Sequence, residues 1–94
     1  MIDGTYAAVQ KDGKWGFIDA EGKVVIEPQY DDARSFSNGY APVQKDGKWG
    51  FINQDNEMVI EPEFDDARGF NSFMRSFVKK EEKWYLLCLY SNNY

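Results

Sequence analysis

Short runs of hydrophobic residues, often alternating with small or polar ones, are separated by turn residues along the chain. The first example is Ala-Ala-Val-Gln-Lys (7–11), then Asp12-Gly13, then Lys-Trp-Gly-Phe-Ile (14–18). An Asp-Gly pair between two such runs predicts a β-hairpin, because a type I′ turn needs positive φ at both central positions and Asp followed by Gly tolerates it. A third apolar run, 24–26, follows Glu21-Gly22. The pattern therefore predicts a three-stranded antiparallel meander.

The loop lengths predict which residues face each other. A two-residue loop at Asp12-Gly13 sets Ala7 opposite Ile18, and a second one at Glu21-Gly22 would set Ile18 opposite Val25 and Phe17 opposite Ile26. Opposed residues share a face. One predicted face collects Ala7, Val9, Ile18 and Val25 around Gly16, and the other collects Ala8, Trp15, Phe17, Val24 and Ile26. Because both faces are apolar, we expect neighbouring repeats or another chain to cover each meander on both sides.

The whole pattern recurs with a period of 34 residues. Residues 7–36 match residues 41–70 at 20 of 30 positions. A third copy begins at Val78 with a spacing of 35, but Glu81-Glu82 replace the Asp-Gly turn and Tyr85 replaces the glycine after tryptophan. We predict an all-β single domain over residues 1–94, a short stack of tandem meanders. Its repeats span about 5–38, about 39–72 and, as a degenerate terminal unit, about 73–94.

Glycine and proline have expected positions within each repeat. Gly16 and Gly50 are expected where a large ring of a neighbouring repeat approaches the backbone. Pro28 and Pro62 are expected to end the third strand, since proline has no amide to donate to the ladder. The connection around residues 31–37 is allowed at most one short 3₁₀ or α turn.

The motifs Gly-Lys-Trp-Gly-Phe-Ile-Asp (13–19) and Gly-Lys-Val-Val-Ile (22–26), followed by Pro28 and Tyr30-Asp31, resemble the bacterial WG-repeat family, also called the KWG-repeat family. The resemblance implies short all-β repeats in tandem, in proteins mostly of uncharacterised function, and it brings no catalytic residues. The signature positions here are Gly13, Trp15, Gly16, Phe17, Ile18, Pro28, Gly47, Trp49, Gly50, Phe51, Ile52, Pro62 and Trp84.

Composition narrows the chemistry further. The chain has no histidine and a single cysteine, Cys88, so histidine-based catalysis, an internal disulfide and a multi-thiolate zinc site are excluded. We expect no catalytic residue, no metal and no cofactor.

The net charge of −5, without a basic run, argues against nucleic acid as a partner. The longest apolar run, 84–90, is far shorter than the ~20 residues of a membrane span. The N-terminus resembles no secretory signal, and we therefore expect a cytoplasmic location by default, with the location left open if the chain is part of a longer protein.

Two polar or aromatic patterns are candidate sites. The repeated Asp-Asp-Ala-Arg tetrads, Asp31, Asp32 and Arg34 with Asp65, Asp66 and Arg68, could bind a cation or serve as acid and base, or could form acidic turns with surface ion pairs. The second interpretation is favoured, because a catalytic site is unique whereas these residues recur. Trp15, Trp49 and Trp84 could form a sugar-stacking platform, although core packing is favoured.

We therefore expect a non-catalytic repeat module that binds or scaffolds a protein or peptide, with strand addition at an exposed edge as one mode. Exposed ends of so short an array predict self-association, most simply a dimer. The alternatives are a carbohydrate or cell-wall binding module, a spacer or fragment of a longer repeat protein with no partner of its own, and a glycosidase that works through the tetrad carboxylates.

Overall fold

A computed structural model describes residues 6–88 of the chain, and this part contains ten β-strands and no helix. The strands are β1 (Ala7–Lys11), β2 (Lys14–Ile18), β3 (Val24–Tyr30), β4 (Asp32–Ala33), β5 (Tyr40–Lys45), β6 (Lys48–Asn53), β7 (Met58–Phe64), β8 (Asp66–Ala67), β9 (Arg75–Lys80) and β10 (Lys83–Cys88).

The strands form three antiparallel sheets that follow the sequence repeat. Their orders are β1-β2-β3, β4-β5-β6-β7 and β10-β9-β8. We call the three hairpin-centred units, built on β1–β2, β5–β6 and β9–β10, units 1, 2 and 3. Units 1 and 2 are complete meanders, whereas unit 3 has, within the described residues, its hairpin and the short flanking strand β8. The predicted all-β array with a degenerate third unit is confirmed.

The hairpin turns form as predicted in units 1 and 2, and unit 3 also forms one. Asp12 and Gly13 have φ values of 53° and 82°, and Asp46-Gly47 repeats them. Glu81 and Glu82 adopt the same conformation at 54° and 71°, although neither is a glycine. The hairpin of unit 3 therefore keeps its register at the cost of two side chains in the left-handed region.

The second turn of the meander differs from the prediction. Phe17 lies opposite Ile26 as expected, but Ile18 lies opposite Val24 instead of Val25. The connection is a five-residue loop, 19–23, rather than a two-residue turn. Asp19 closes it, since its Oδ1 accepts the amides of Glu21 and Lys23, each at 2.9 Å. The capacity of Asp to bond nearby amides lengthens the turn and sets Val24, not Val25, opposite Ile18.

The prediction that proline ends the third strand is wrong. β3 continues through Pro28 to Tyr30, and a shift of register sets Tyr30 opposite Trp15. Pro62 has the equivalent place in β7. At such a bulge the ladder is interrupted, so the missing amide of proline leaves no bond unmade.

The glycines are close to backbone, not to a neighbour's ring. A Cβ on Gly16 would lie 2.7 Å from Pro28 N, and one on Gly50 would lie 2.8 Å from Pro62 N. The predicted neighbour of these glycines, a ring of the next repeat, was thus wrong, because the bulged third strand of the same sheet takes the space.

The connection between units 1 and 2 contains β4, which pairs with β5, where at most one helical turn had been predicted.

Each unit presents two different apolar faces. The aliphatic face carries small side chains, which in unit 2 are Ala41, Val43, Ile52 and Met58. The aromatic face carries larger ones, which in unit 1 are Trp15, Phe17, Ile26 and Tyr30. The aromatic face of unit 1 packs against the aliphatic face of unit 2 in one core, and the aromatic face of unit 2 packs against Val78 and Leu87 of unit 3 in the other. The units therefore stack by one repeated type of interface.

Candidate interaction surface

The first aspartate of each tetrad links two units. Asp31 accepts a hydrogen bond from Lys14 Nζ at 2.6 Å within its own unit and another from the amide of Asp46, in the next hairpin turn, at 2.8 Å. Asp65 repeats this arrangement with Lys48 Nζ at 2.6 Å and the amide of Glu81 at 3.0 Å. One carboxylate thus holds a strand of its own unit and the turn of its neighbour together.

These contacts change the proton affinity of the groups involved. The hydrogen bond from Lys14, followed by that from the Asp46 amide, lowers the pKa of Asp31 below its usual range, and Lys48 with the Glu81 amide does the same to the pKa of Asp65. The bond to Asp31 also raises the pKa of Lys14. A carboxylate held ionised in this way is a hydrogen-bond acceptor and is poorly suited to act as a general acid.

Of the remaining tetrad residues, Asp66 and the two arginines contact neighbouring units, whereas Asp32 makes a local bond. Asp66 accepts a hydrogen bond from Arg34 Nη2 at 3.1 Å, which joins two successive connections. The guanidinium of Arg34 lies 4.7 Å from the ring centroid of Trp49, and that of Arg68 lies 5.1 Å from Trp84. Asp32 accepts the amide of Ala33 at 2.8 Å. The tetrads are therefore linkers between units, and the residues that the structure describes contain no group of three or more potential metal ligands.

The three tryptophans have different environments. Trp49 is 4% exposed, Trp15 is half-buried, and Trp84 is 45% exposed. Unit 3 packs against Trp49, whereas no further unit covers Trp84 within residues 6–88. The structure thus presents one exposed, one half-buried and one buried tryptophan rather than a platform of three.

The other signature residues have structural places. Gly13 and Gly47 occupy the hairpin turns at positive φ. Phe17, Phe51 and Ile52 are fully buried, whereas Ile18 is half-buried. Pro28 and Pro62 are half-buried at the bulges. Cys88 is a free, half-buried thiol at the end of β10.

An apolar groove lies on the aromatic face of unit 3. It has a volume of about 260 Å³ and is lined by Arg68, Phe77 and Trp84. Phe77 is 56% exposed, and Leu86, opposite it in the β9–β10 pairing, is 54% exposed. Large apolar side chains exposed together beside an arginine are typical of protein-binding surfaces. We call Phe77, Trp84 and Leu86, with Arg68, the aromatic end.

Sequence reasoning identified Trp84 and Arg68 but missed Phe77 and Leu86. A signal was present, since Phe77 stands where unit 2 has Pro42 and Leu86 where it has Phe51, both fully buried. In units 1 and 2 the next unit packs on this face, whereas no further unit lies over unit 3 within residues 6–88. Apolar residues at these core positions of unit 3 are therefore exposed.

The outer edge of β10 has no paired strand within residues 6–88, and it differs from the equivalent edges of β2 and β6. Tyr85 stands in the place of Gly16 and Gly50, where a Cβ would meet the backbone of the bulged third strand. A proline-bulged strand in the register of β3 or β7 therefore cannot pair with β10 unless the backbone shifts. This edge fits a regular strand better than a repeat-type one.

In the described part of the chain there is no helix of the length and hydropathy required to cross a membrane.

The model of a protein family described as the WG containing repeat matches residues 2–15, 15–49 and 49–84. The later two matches run from one tryptophan to the next, so each combines parts of two successive sheets. No curated protein and no solved structure matches the chain.

Proposed function

Because the chain belongs to the WG containing repeat family, we propose that it is a non-catalytic module that binds a protein or peptide through the aromatic end of unit 3. The observation that carries the proposal is the exposure of Phe77, Trp84 and Leu86, at 56%, 45% and 54%, on one face. The corresponding faces of units 1 and 2 are covered by protein.

The internal interfaces indicate the chemistry of the partner. The aromatic face of unit 2 receives Val78 and Leu87, and that of unit 1 receives Ala41, Val43 and Ile52. The partner is therefore a protein segment that offers small aliphatic side chains from an extended strand. Removal of these apolar surfaces from water supplies the main favourable free energy, while the Arg68 guanidinium can bind a carbonyl or carboxylate at the rim.

The open edge of β10 offers a second kind of contact to the same partner. Its backbone groups on this side have no neighbouring strand within residues 6–88. An extended segment that paired there would add hydrogen bonds to the apolar contacts, as in binding by strand addition. Since the Tyr85 side chain takes the space that a proline-bulged strand would require, we expect the segment to be a regular strand without proline at its centre.

A library of random peptides displayed on phage tests the proposal. The chain, immobilised at low density, should recover apolar peptides, and the Leu86→Glu variant should recover none of them, since it places a charge at the centre of the surface. Val59→Glu is the matched control, because Val59 is also exposed, at 41%, but lies in β7 away from the aromatic end. Equal recovery by Leu86→Glu and the parent, or no recovery by the parent, would overturn the proposal.

A carbohydrate ligand is the second candidate, and the exposed Trp84 ring beside Arg68 favours it. One sugar ring could stack on this indole while the guanidinium bonds its hydroxyl groups. Sedimentation of the chain with insoluble cellulose, chitin or peptidoglycan tests the idea, with Trp84→Ala as the variant. Binding that Trp84→Ala loses and Leu86→Glu keeps would favour a sugar over a protein.

A further inference from the structure

The two ends of the array expose opposite halves of the interface that joins its units. Unit 3 exposes its aromatic face, and unit 1 exposes its aliphatic face. On the latter, Ala7 is exposed, Val9 and Ile18 are half-buried, and Val24 is 46% exposed. We call these four residues the aliphatic end.

The internal counterparts of the aliphatic end show what covers such a face. Ala41, Val43 and Ile52 of unit 2 have the same places as Ala7, Val9 and Ile18, and all three are fully buried against unit 1. The surface that buries them is an aromatic face, which contributes Phe17 and Ile26. The aliphatic end of one molecule therefore carries the same kind of side chains, at the same strand positions, as the faces that aromatic faces bury inside the chain.

We propose that copies of this chain stack head to tail, with the aliphatic end of one copy on the aromatic end of the next. The inference rests on the proposed function for the surface used, and it names the partner as a second copy. The same type of interface already occurs twice in each molecule, between units 1 and 2 and between units 2 and 3. The contact is heterologous and leaves one free end of each kind, so the assembly is open and grows beyond two molecules.

A symmetric dimer through the aromatic ends is the competing arrangement. It would place Phe77, Trp84 and Leu86 against the same large side chains of the other copy, a pairing for which neither internal interface is a template. It would also bring Arg68 of each copy into one patch, where like charges repel. The head-to-tail stack avoids both costs.

The contact between molecules is weaker than the contact within one. Inside the chain, each interface is also joined by a connecting strand and by an aspartate that binds the next hairpin turn, as Asp31 binds the Asp46 amide. Covalent connection adds a high effective concentration to these bonds. Assembly between copies should accordingly be reversible and dependent on protein concentration.

Sedimentation velocity over a concentration series, with variants that block one end each, tests the stack. Leu86→Glu blocks the aromatic end. Ala7→Glu blocks the aliphatic end, and it is chosen because the Ala7 side chain is already exposed and its counterpart Ala41 is fully buried. Val59→Glu is again the control, and far-UV circular dichroism establishes that each variant is folded.

We expect the parent and Val59→Glu to form species larger than two chains as concentration rises, and each end-blocked variant to stay monomeric. An equimolar mixture of Leu86→Glu and Ala7→Glu should form one species of two chains and nothing larger, since only one compatible pair of ends remains. A monomeric parent, a dimeric Ala7→Glu variant or a mixture without the two-chain species would each overturn the proposal. If the parent is monomeric while Leu86→Glu still abolishes peptide recovery, the stack fails and the proposed function stands.

Discussion

Replacement of Gly50 by alanine should destabilise the fold far more than one methyl group would at most positions. The new Cβ would meet the carbonyl oxygen of Ile60 most closely, and it would lie 2.8 Å from Pro62 N and 2.9 Å from the Glu61 carbonyl carbon, whereas ordinary contact of a Cβ begins at 3.4 Å. The neighbouring backbone must therefore retreat by at least about 0.6 Å, which is 3.4 Å minus the 2.8 Å to Pro62 N, and by more at the Ile60 oxygen. Backbone in a paired strand cannot rotate away as a side chain can.

Overpacking of this kind costs ~1–3 kcal/mol, and we expect the upper part of that range, ~2–3 kcal/mol, because β7 pairs along β6 and helps to cover the second core. With a urea m-value of ~2 kcal/mol per molar, typical of a small domain, the unfolding midpoint should fall by roughly 1–1.5 M. Gly69→Ala is the matched control. Its Cβ would lie 3.4 Å from the Ser37 Cβ, an ordinary contact, and its φ is not positive. Equal midpoints for the two variants would refute the steric account of this glycine.

Three further outcomes follow from the geometry. The pKa values of Asp31 and Asp65 are lower in the folded protein than in the unfolded chain, so ionisation of these carboxyls favours folding. This stabilisation is present above the usual carboxyl pKa of about 3.9 and is lost as the pH falls below it. Thermal melts of the variant with both aspartates changed to asparagine should therefore depend less on pH in this acidic range than those of the parent. Glu82→Gly should stabilise the protein by about 1 kcal/mol in urea unfolding, because the residue has a φ of 71°, and an unchanged midpoint would count against strain in that turn. Acrylamide should quench the parent mainly through Trp84, so Trp84→Phe should remove most of the accessible emission while Trp49→Phe leaves it, and the reverse order would contradict the assigned burial.

The hairpins and the repeat were predictable because their signals are local. Asp-Gly at a type I′ turn sets the pairing of its flanking strands without help from distant residues, and the identity of two copies implies the same structure twice. The two apolar faces were also correctly taken to mean stacking. These inferences needed only backbone geometry and the alternation of side chains.

The bulge and the second turn could not be predicted in the same way, because both depend on competition between local and sheet bonds. Asp19 captures two amides and lengthens its loop, which moves Val24 to the face predicted for Val25. Pro28 is accommodated only since Gly16 leaves room for its backbone. The role of the tetrads was equally hidden, since the Asp31 contact with the Asp46 amide joins residues 15 apart that only the stacked units bring together.

Because β4 pairs with β5 and β8 pairs with β9, the boundaries of the sheets do not coincide with the boundaries of the sequence repeats. A segment of one period contains a meander, but the two residues that complete the first edge of its sheet belong to the preceding period. No single period is therefore a self-sufficient domain, and any excised copy would lose both a strand and a face. Duplication of a whole period, in contrast, supplies every missing contact at once, which explains how such an array can lengthen by copying without the invention of a new interface.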